Sequence, residues 1–448
     1  MKKSTLEKFP GSPLPEIVSA ETSPLQTLRA LFDAALVAVD PLECVLPFLP
    51  AYPKGRTIVL GAGKASARMA LAVESVWNGP LSGLVVTRYG HGELCRHIEI
   101  VQAGHPVPDA AGAGAAKRML ALAHQAGPDD LVLVLVSGGG SSLLTLPADG
   151  ISMEELRAIN MALLRCGATI AEMNTVRRHL SSIAGGRLAQ ACGAATVVTL
   201  VVSDVPGDDP AVVASGPTVA DHSTPADALM LLQRYEISVS AAVLSVLQQT
   251  VVPLAASYGA RSVHVIATAE RALQAAIAQA ERLGLEVVSL GGAVEGESRD
   301  VARAQAAMVR DVQSRIAPGH TCLLLSGGET TVTVRGNGRG GRNSEFLLAL
   351  ALELQGAPGI YALACDTDGI DGVEDNAGGT IEPNSLQRAQ VSGINPGALL
   401  DDNNAYAFLS VLGDLISTGP TRTNVNDFRA ILITRPLAVS LPGTHHAS

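Results

Sequence analysis

Residues 131–142 read Leu131-Val132-Leu133-Val134-Leu135-Val136 and then Ser137-Gly138-Gly139-Gly140-Ser141-Ser142. Six consecutive aliphatic residues show no polar alternation, so both faces of the segment need cover. A strand of that kind belongs to the interior of a parallel sheet. A glycine-rich turn at its carboxyl end lies where open α/β sheets place their ligands. The pattern recurs along the chain. Thr57–Leu60 precedes Gly61-Ala62-Gly63-Lys64-Ala65-Ser66, Thr196–Ser203 precedes Asp204, and Cys322–Leu325 precedes Ser326-Gly327-Gly328-Glu329. Gly83–Thr87, Ser262–Ala267, Leu285–Leu290, Ile360–Ala364 and Ala430–Ile433 read as further strands, and Thr330–Val334 as the second arm of a hairpin. Helical stretches such as Ala269–Leu283, closed by Gly284, supply the crossovers.

Strand–helix alternation of this kind predicts an α/β fold. The expectation is two Rossmann-like domains with mainly parallel sheets and a cleft between them, the hairpin giving the second sheet a mixed character. At 448 residues the chain exceeds one ordinary core. The divisions read as a tail at 1–24, an N-terminal α/β domain at 25–235, a helical linker at 236–259, a C-terminal α/β domain at 260–440 and a tail at 441–448. Apolar residues make up 47% and aromatics only 3%, so the cores are aliphatic.

The net charge of −10 disfavours nucleic acid, whose phosphates need a cationic face. Cys44, Cys95, Cys166, Cys192, Cys322 and Cys365 are scattered singly, as buried thiols of a reducing cytoplasm are. The start, MKKSTLEKFPGSPLPE, has no apolar signal core, and no apolar run approaches the ~20 residues of a membrane helix. A cytoplasmic protein with no membrane partner is expected; a homo-oligomer stays open.

Several segments carry chemistry. Gly61, Gly63 and Lys64 combine close backbone approach with a mobile cation, though the turn alone also reads as plain turn geometry. It matches neither the phosphate-loop pattern, for which Ala65 stands at the hydroxyl position, nor the dinucleotide fingerprint, for which Ser66 stands at the third glycine. Ser137, Gly138, Gly139, Gly140 and Ser141 form a nest of backbone N–H groups suited to phosphate or carboxylate, or a tight turn. Asp204 is the best single carboxylate in the chain for a base or a metal ligand, at the end of a buried strand. The stretch 335–345 brings Arg335, Arg339 and Arg342 together with Asn343, and arginine forks grip phosphate oxygens; a solvated loop is the alternative. Asp366-Thr367-Asp368-Gly369-Ile370-Asp371 fails the calcium-loop pattern and fits a strand-end Mg²⁺ turn or a structural Asx turn. Cations, glycine nests and strand-end acids are together what phosphoryl transfer requires.

With these segments in order, the sequence resembles the glycerate 2-kinase family, whose second half is the MOFRL region and whose members are often labelled hydroxypyruvate reductases of tartrate degradation. GAGKA, SGGGSSLL, SDVPGDDPAVVASGPT, SGGETTVTVRGNGRGGRN, DTDGIDG and TGPTRTNVND carry the resemblance, which runs from about Leu25 to Thr434. It implies a kinase working in an interdomain cleft, with ATP, Mg²⁺ and D-glycerate as ligands and 2-phosphoglycerate as product. It makes Lys64 and Arg342 essential. Gly327, Gly328 and Glu329 would cradle phosphate or carboxylate with the 137–142 turn, Arg339 and Asn343 would assist, and Asp366 and Asp368 would place the metal. Ser142, Ser344 and Arg422 depart from residues the family often has there (Ala, Gln and Gly). The rival readings are an NAD(P)H-dependent hydroxypyruvate reductase and a non-catalytic metabolite-binding regulator.

Overall fold

The computed structural model describes residues 23–248 and 259–435; most of the sequence-defined tails and the end of the 236–259 linker lie outside them. The first sheet holds β1 (Thr57–Ala62), β2 (Leu81–Arg88), β3 (Ile98–Ala103), β4 (Leu131–Ser137), β5 (Thr196–Val202) and β6 (Arg261–Ala267). All pairings are parallel and the order is β3-β2-β1-β4-β5-β6. The chain reverses direction of winding between β1 and β4, so the turns after these two strands open the crevice of a doubly wound sheet. The β4 segment is buried at all seven positions, as its unbroken apolar run requires.

The second sheet holds β7 (Glu286–Ser289), β8 (Val294–Glu297), β9 (Thr321–Thr331), β10 (Ile360–Asp366), β11 (Gly378–Ile381), β12 (Leu415–Ile416) and β13 (Asp427–Thr434). Its order is β12-β11-β10-β13-β9-β7, with β8 also on β9. Only β7 and β8 run parallel to β9; the other pairings are antiparallel. The second sheet is therefore mixed, as expected, and its antiparallel pairings are in the majority. The expected hairpin is corrected. The Ser326-Gly327-Gly328 stretch does not turn; β9 runs straight through it, paired on one side with β13 and on the other with β7 and then β8.

The division at 236–259 also changes. Strand β6 hydrogen-bonds to β5, so Arg261–Ala267 completes the first sheet rather than opening a second unit. Helix α1 (Pro24–Ala38) starts with Pro24 at its first position and a reciprocal Ser23–Gln26 capping box. It packs with α2 (Ser66–Val76) and α3 (Ala269–Arg282) into one core. That core takes Leu133 and Leu200 from the first sheet, and Leu325, Leu363 and Phe428 from the second. The two sheets thus share a helical layer instead of owning separate interiors. Separate apolar clusters cover the outer face of each sheet, and a fourth lies among the helices of residues 151–247.

Phe32 of α1 is fully buried, with its ring 5.5 Å from that of Phe428 on β13. Phe32→Ala is expected to lower the unfolding free energy by about 3–5 kcal/mol, read from urea melts, with both sheets lost in one transition. A change below ~1 kcal/mol would show that α1 does not couple them.

Candidate active site

The turns after β1 and β4 are tied together. Lys64 N–H donates to Gly138 O at 2.9 Å and Ala65 N–H to Ser137 Oγ at 2.9 Å. Gly138 has to be glycine: a Cβ there would stand 1.7 Å from Asp204 Oδ2 and 2.5 Å from Asn424 Nδ2. Asp204 follows β5, and its Oδ2 accepts from Asn424 Nδ2 at 3.0 Å, while its carbonyl accepts from the Asn426 side chain. The carboxyl end of the first sheet is thereby stitched to the loop that leads into β13.

The antiparallel entry of β13 decides what stands opposite. Its first residue, Asp427, pairs with Asp366, the last residue of β10, and with Gly328 of β9. Arg342 begins helix α4 (Arg342–Leu354) and binds three carboxylates at once. Its Nε donates to Asp427 Oδ1 at 2.7 Å, Nη1 to Glu329 Oε1 at 2.8 Å and Nη2 to Asp366 Oδ2 at 2.9 Å. Lys64 Nζ reaches across from the first sheet to Asp368 Oδ2 at 2.6 Å, and Asp368 N–H donates to Asp366 Oδ1 at 2.9 Å. Lys64 and Arg342, 278 positions apart in sequence by subtraction of their numbers, therefore meet through the Asp366–Asp368 turn. Behind them the buried Arg429 bonds to Asp427 and, at 2.8 Å, to Thr330 Oγ1.

Five carboxylates (Asp204, Glu329, Asp366, Asp368, Asp427) share three cations (Lys64, Arg342, Arg429), and this surplus sets the protonation states. Burial raises Asp204 to about 6, against the pull of Lys64. Burial and then the Asp368 charge raise Asp366 well above the carboxylate range. Burial would do the same to Asp368, but Lys64 outweighs it and holds Asp368 low. Burial alone would lower Lys64 and Arg342; their acidic neighbours reverse this and keep both charged. His91 and His105 lie near Lys64, and burial plus the Lys64 and Arg88 charges lower both to about 4.

Not every residue expected at the site faces it. Gly61 lies inside β1 against Leu135, and Ser137 is fully buried with its hydroxyl on Ala65. A Cβ on Gly63 would strike Ser137, and one on Gly140 would strike Ala214, so these two glycines serve close packing. Gly139, at φ 79°, lies between the His105 ring and the Lys64 stem. Gly327 and Gly328 are ladder residues of β9, the Gly327 N–H being taken by Gly291 O, so no anion-binding turn forms there. Asn343 is buried; its amide donates to Asp427 Oδ1 at 2.8 Å, which makes it a support rather than a ligand group. Arg339 is 61% exposed, held by Glu374 and stacked 4.3 Å over Tyr406, away from the cluster. Ser141 is exposed, with its hydroxyl 2.8 Å from that of Ser215. Asp427, Asn424, Asn426 and Asp371 are the participants that the sequence did not assign.

Two family models match the chain: a domain of unknown function (DUF4147) over residues 27–248 and the MOFRL family over residues 322–427. The D-glycerate 2-kinase of Thermotoga maritima is 40% identical over 397 residues, covering 88% of this chain and 94% of that one.

The chain belongs to the MOFRL-type glycerate kinase family.

A relative from Agrobacterium vitis, provisionally named a hydroxypyruvate reductase, is 50% identical over 417 residues, 92% of this chain and 95% of that one. The crystal structure of Thermotoga maritima glycerate kinase superposes with a TM-score of 0.83 at 39% identity, over 91% of this chain and 99% of that one. Two of the three departures from the family pattern have local explanations. Arg422 adopts φ 63°, a conformation that glycine takes without strain, and its guanidinium turns out to Glu93 at 3.1 Å. Ser344 gives both its N–H and its hydroxyl to the buried Asp371, which also accepts the Asn343 N–H at 2.9 Å.

Asp371 thus caps α4 from a distance, and α4 carries Arg342. Asp371→Ala is expected to cost about 2 kcal/mol, the upper end of cap losses, read from the urea midpoint; an unchanged midpoint would count against the cap.

Proposed function

We infer that the protein is an ATP-dependent glycerate kinase that transfers the γ-phosphoryl group to the 2-hydroxyl of D-glycerate, giving 2-phosphoglycerate and ADP. The observation that carries this reading is the meeting of Lys64 and Arg342, one from each sheet, over a shared acidic turn. Relatives named D-glycerate 2-kinase and glycerate 2-kinase, 40% and 36% identical, support the choice of the 2-position. The six unpaired cysteines are in keeping with a reducing cytoplasm.

In this reading Asp204 takes the proton of the 2-hydroxyl, that oxygen attacks the γ-phosphorus, and the bond to the β-phosphate oxygen breaks to release ADP. Lys64 and Arg342 hold and neutralise the moving phosphoryl group, whose transfer depends mainly on positioning and charge compensation. Gly138 lets Asp204 come close to the Lys64 turn, and Asn424 orients it. The carboxylate surplus suits a divalent cation. Among the described residues no three His, Cys, Asp or Glu side chains form a metal cage, but Mg²⁺ is commonly held by one or two carboxylates with substrate phosphates. Asp366 and Asp368 would hold it, and when bound it would supply charge neutralisation at the phosphate oxygens.

The hydroxypyruvate reductase reading has relatives' names behind it, and the first sheet has the strand order of dinucleotide-binding folds. The β2 strand, however, ends in Thr87-Arg88, which offers no acid to the ribose of NADH and leaves only NADPH, whose 2′-phosphate Arg88 could meet. NMR of the product from ATP, Mg²⁺ and D-glycerate separates the readings and fixes the phosphorylated position. A 2-phosphate is expected; NAD(P)H oxidation by hydroxypyruvate with no ADP release would overturn the kinase.

Lys64→Ala and Arg342→Ala are each expected to lower kcat/KM at least 100-fold, about 2.7 kcal/mol, in a coupled ADP-release assay, and losses under tenfold would remove them from these roles. The pH profile follows from Asp204. Because burial raises this acid, its proton is bound below pH about 6, where it cannot serve as base. kcat/KM should fall about tenfold per unit below that point, and the acid limb should be absent from a weakly active Asp204→Asn variant. An unaltered limb in that variant would assign it to another group.

A further inference from the structure

A cavity of about 380 Å³ opens beside the glycine-rich turn after β4. Ser141 and Ser215 stand in its wall, and Ser141 belongs to the turn whose Gly138 and Gly139 touch Asp204 and Lys64. Its volume lies within the ~300–1,000 Å³ of small-molecule sites. Its lining is dominated by apolar side chains, which does not suit glycerate, a three-carbon acid with a polar group on every carbon. Three of the large apolar side chains that the protein leaves exposed line this cavity: Val107 at 67%, Met161 at 50% and Leu164 at 54%. Inside it Arg177 is half-buried, its guanidinium has no carboxylate partner among the described residues, and its Nε donates to Asn160 Oδ1 at 3.0 Å. A guanidinium plane in such a place can stack on a flat ring or fork a phosphate.

We propose that this cavity is the nucleoside subsite, so that the adenine and ribose of ATP lie against Met161, Leu164 and Arg177 while the triphosphate runs past Ser141 towards Lys64. The proposal rests on the kinase reading and adds that the first sheet's side of the site carries the nucleotide, leaving glycerate to enter between Asp204 and Arg342. Of the two reactants only the nucleotide has an apolar, planar part large enough for the space. Burial of the rim by the base would cover apolar surface that is otherwise left to water, which favours binding. An adenosine moiety is also part of NAD(P)H, so the two sources of that chemistry are tested side by side.

The test is calorimetric binding of ADP with Mg²⁺, and of NADPH, to the full chain and to the double variant M161D/L164D, whose positions are exposed enough to leave folding intact. M230D, an equally exposed methionine on the helix Pro225–Arg234 outside the cavity, is the control. The double variant is expected to lose at least tenfold in ADP affinity, with the control within twofold of wild type and NADPH binding much more weakly than ADP. In turnover the KM for ATP should rise at least tenfold and the KM for glycerate move less than twofold. An unchanged ADP affinity, or a shift in the glycerate KM alone, would overturn the subsite. Tight NADPH binding lost in the same variant would place a reductase's cofactor there and overturn the kinase assignment. Because ADP binding is read without turnover, a protein that binds ADP in the cavity but makes no phosphoglycerate would refute the function and leave the nucleoside subsite standing.

Discussion

A buried charge is tolerated only beside its opposite, and the Lys64–Asp368–Asp366–Arg342 chain is that constraint met across two sheets. Lys64 lies 16% exposed and Asp368 2% exposed, so neither could keep its charge alone. The surrounding architecture supplies what the chain of charges needs. Parallel strands bring Lys64 and Asp204 to one edge, and the shared helical layer holds the second sheet against that edge. Antiparallel β13 delivers Asp427 to the third face of the Arg342 guanidinium. Each part is ordinary; the site exists because their ends coincide.

The first sheet was nearly legible in the sequence because its signal is redundant. Unbroken apolar runs such as Leu131–Val136 admit one reading, and the glycine turns after them mark the carboxyl ends. Strand β3, Ile98–Ala103, was missed because its sequence IEIVQA interleaves a charge and an amide, which suits the edge of a sheet and resembles a loop. Strand β6 was assigned to the wrong unit because period and composition say nothing of which neighbour a strand pairs with. The direction of each strand in the second sheet is silent in the sequence for a related reason. A run such as Ala430–Ile433 carries the same apolar signature whichever way it lies, and only the antiparallel ladder shows that Asp427, at the strand's start, stands beside Asp366.

The misassigned site residues teach a similar lesson. A glycine in a motif can open space for a ligand or for the protein's own chain. At Gly61 and Gly63 the nearest atoms belong to the neighbouring strand, and at Gly138 to a carboxylate of the site. Ser137 and Asn343 carry groups that could bind phosphate, yet both are turned inward, where Ala65 and Asp427 engage them. Arg339 reads in the sequence as a helper of Arg342, but its guanidinium goes to Glu374 and Tyr406, whereas Arg342, fixed at the start of a helix, points at the acids of the site. Composition finds the cations; the backbone decides which one is aimed.

The ion pairs also bear on how a polyphosphate could enter. Lys64 and Arg342 are already engaged, so incoming phosphate oxygens must take over donors now held by Asp368, Asp366, Glu329 and Asp427. Each displaced carboxylate is left buried and anionic unless a cation or a proton reaches it. The partly exposed Glu329 can simply turn to water, whereas the side chains of Asp366 and Asp368 cannot, being 6% and 2% exposed. Exchange of partners at that turn is therefore where the energetic difference between the empty and the filled site concentrates. Because the two sheets share one core through α1 and α3, a wide hinge between them would have to break apolar packing as well as ion pairs. The less costly adjustment lies in the loops at the strand ends, where Glu329 and the 418–422 segment meet solvent, and the fold leaves the chemistry to be assembled there rather than by swinging one half of the molecule onto the other.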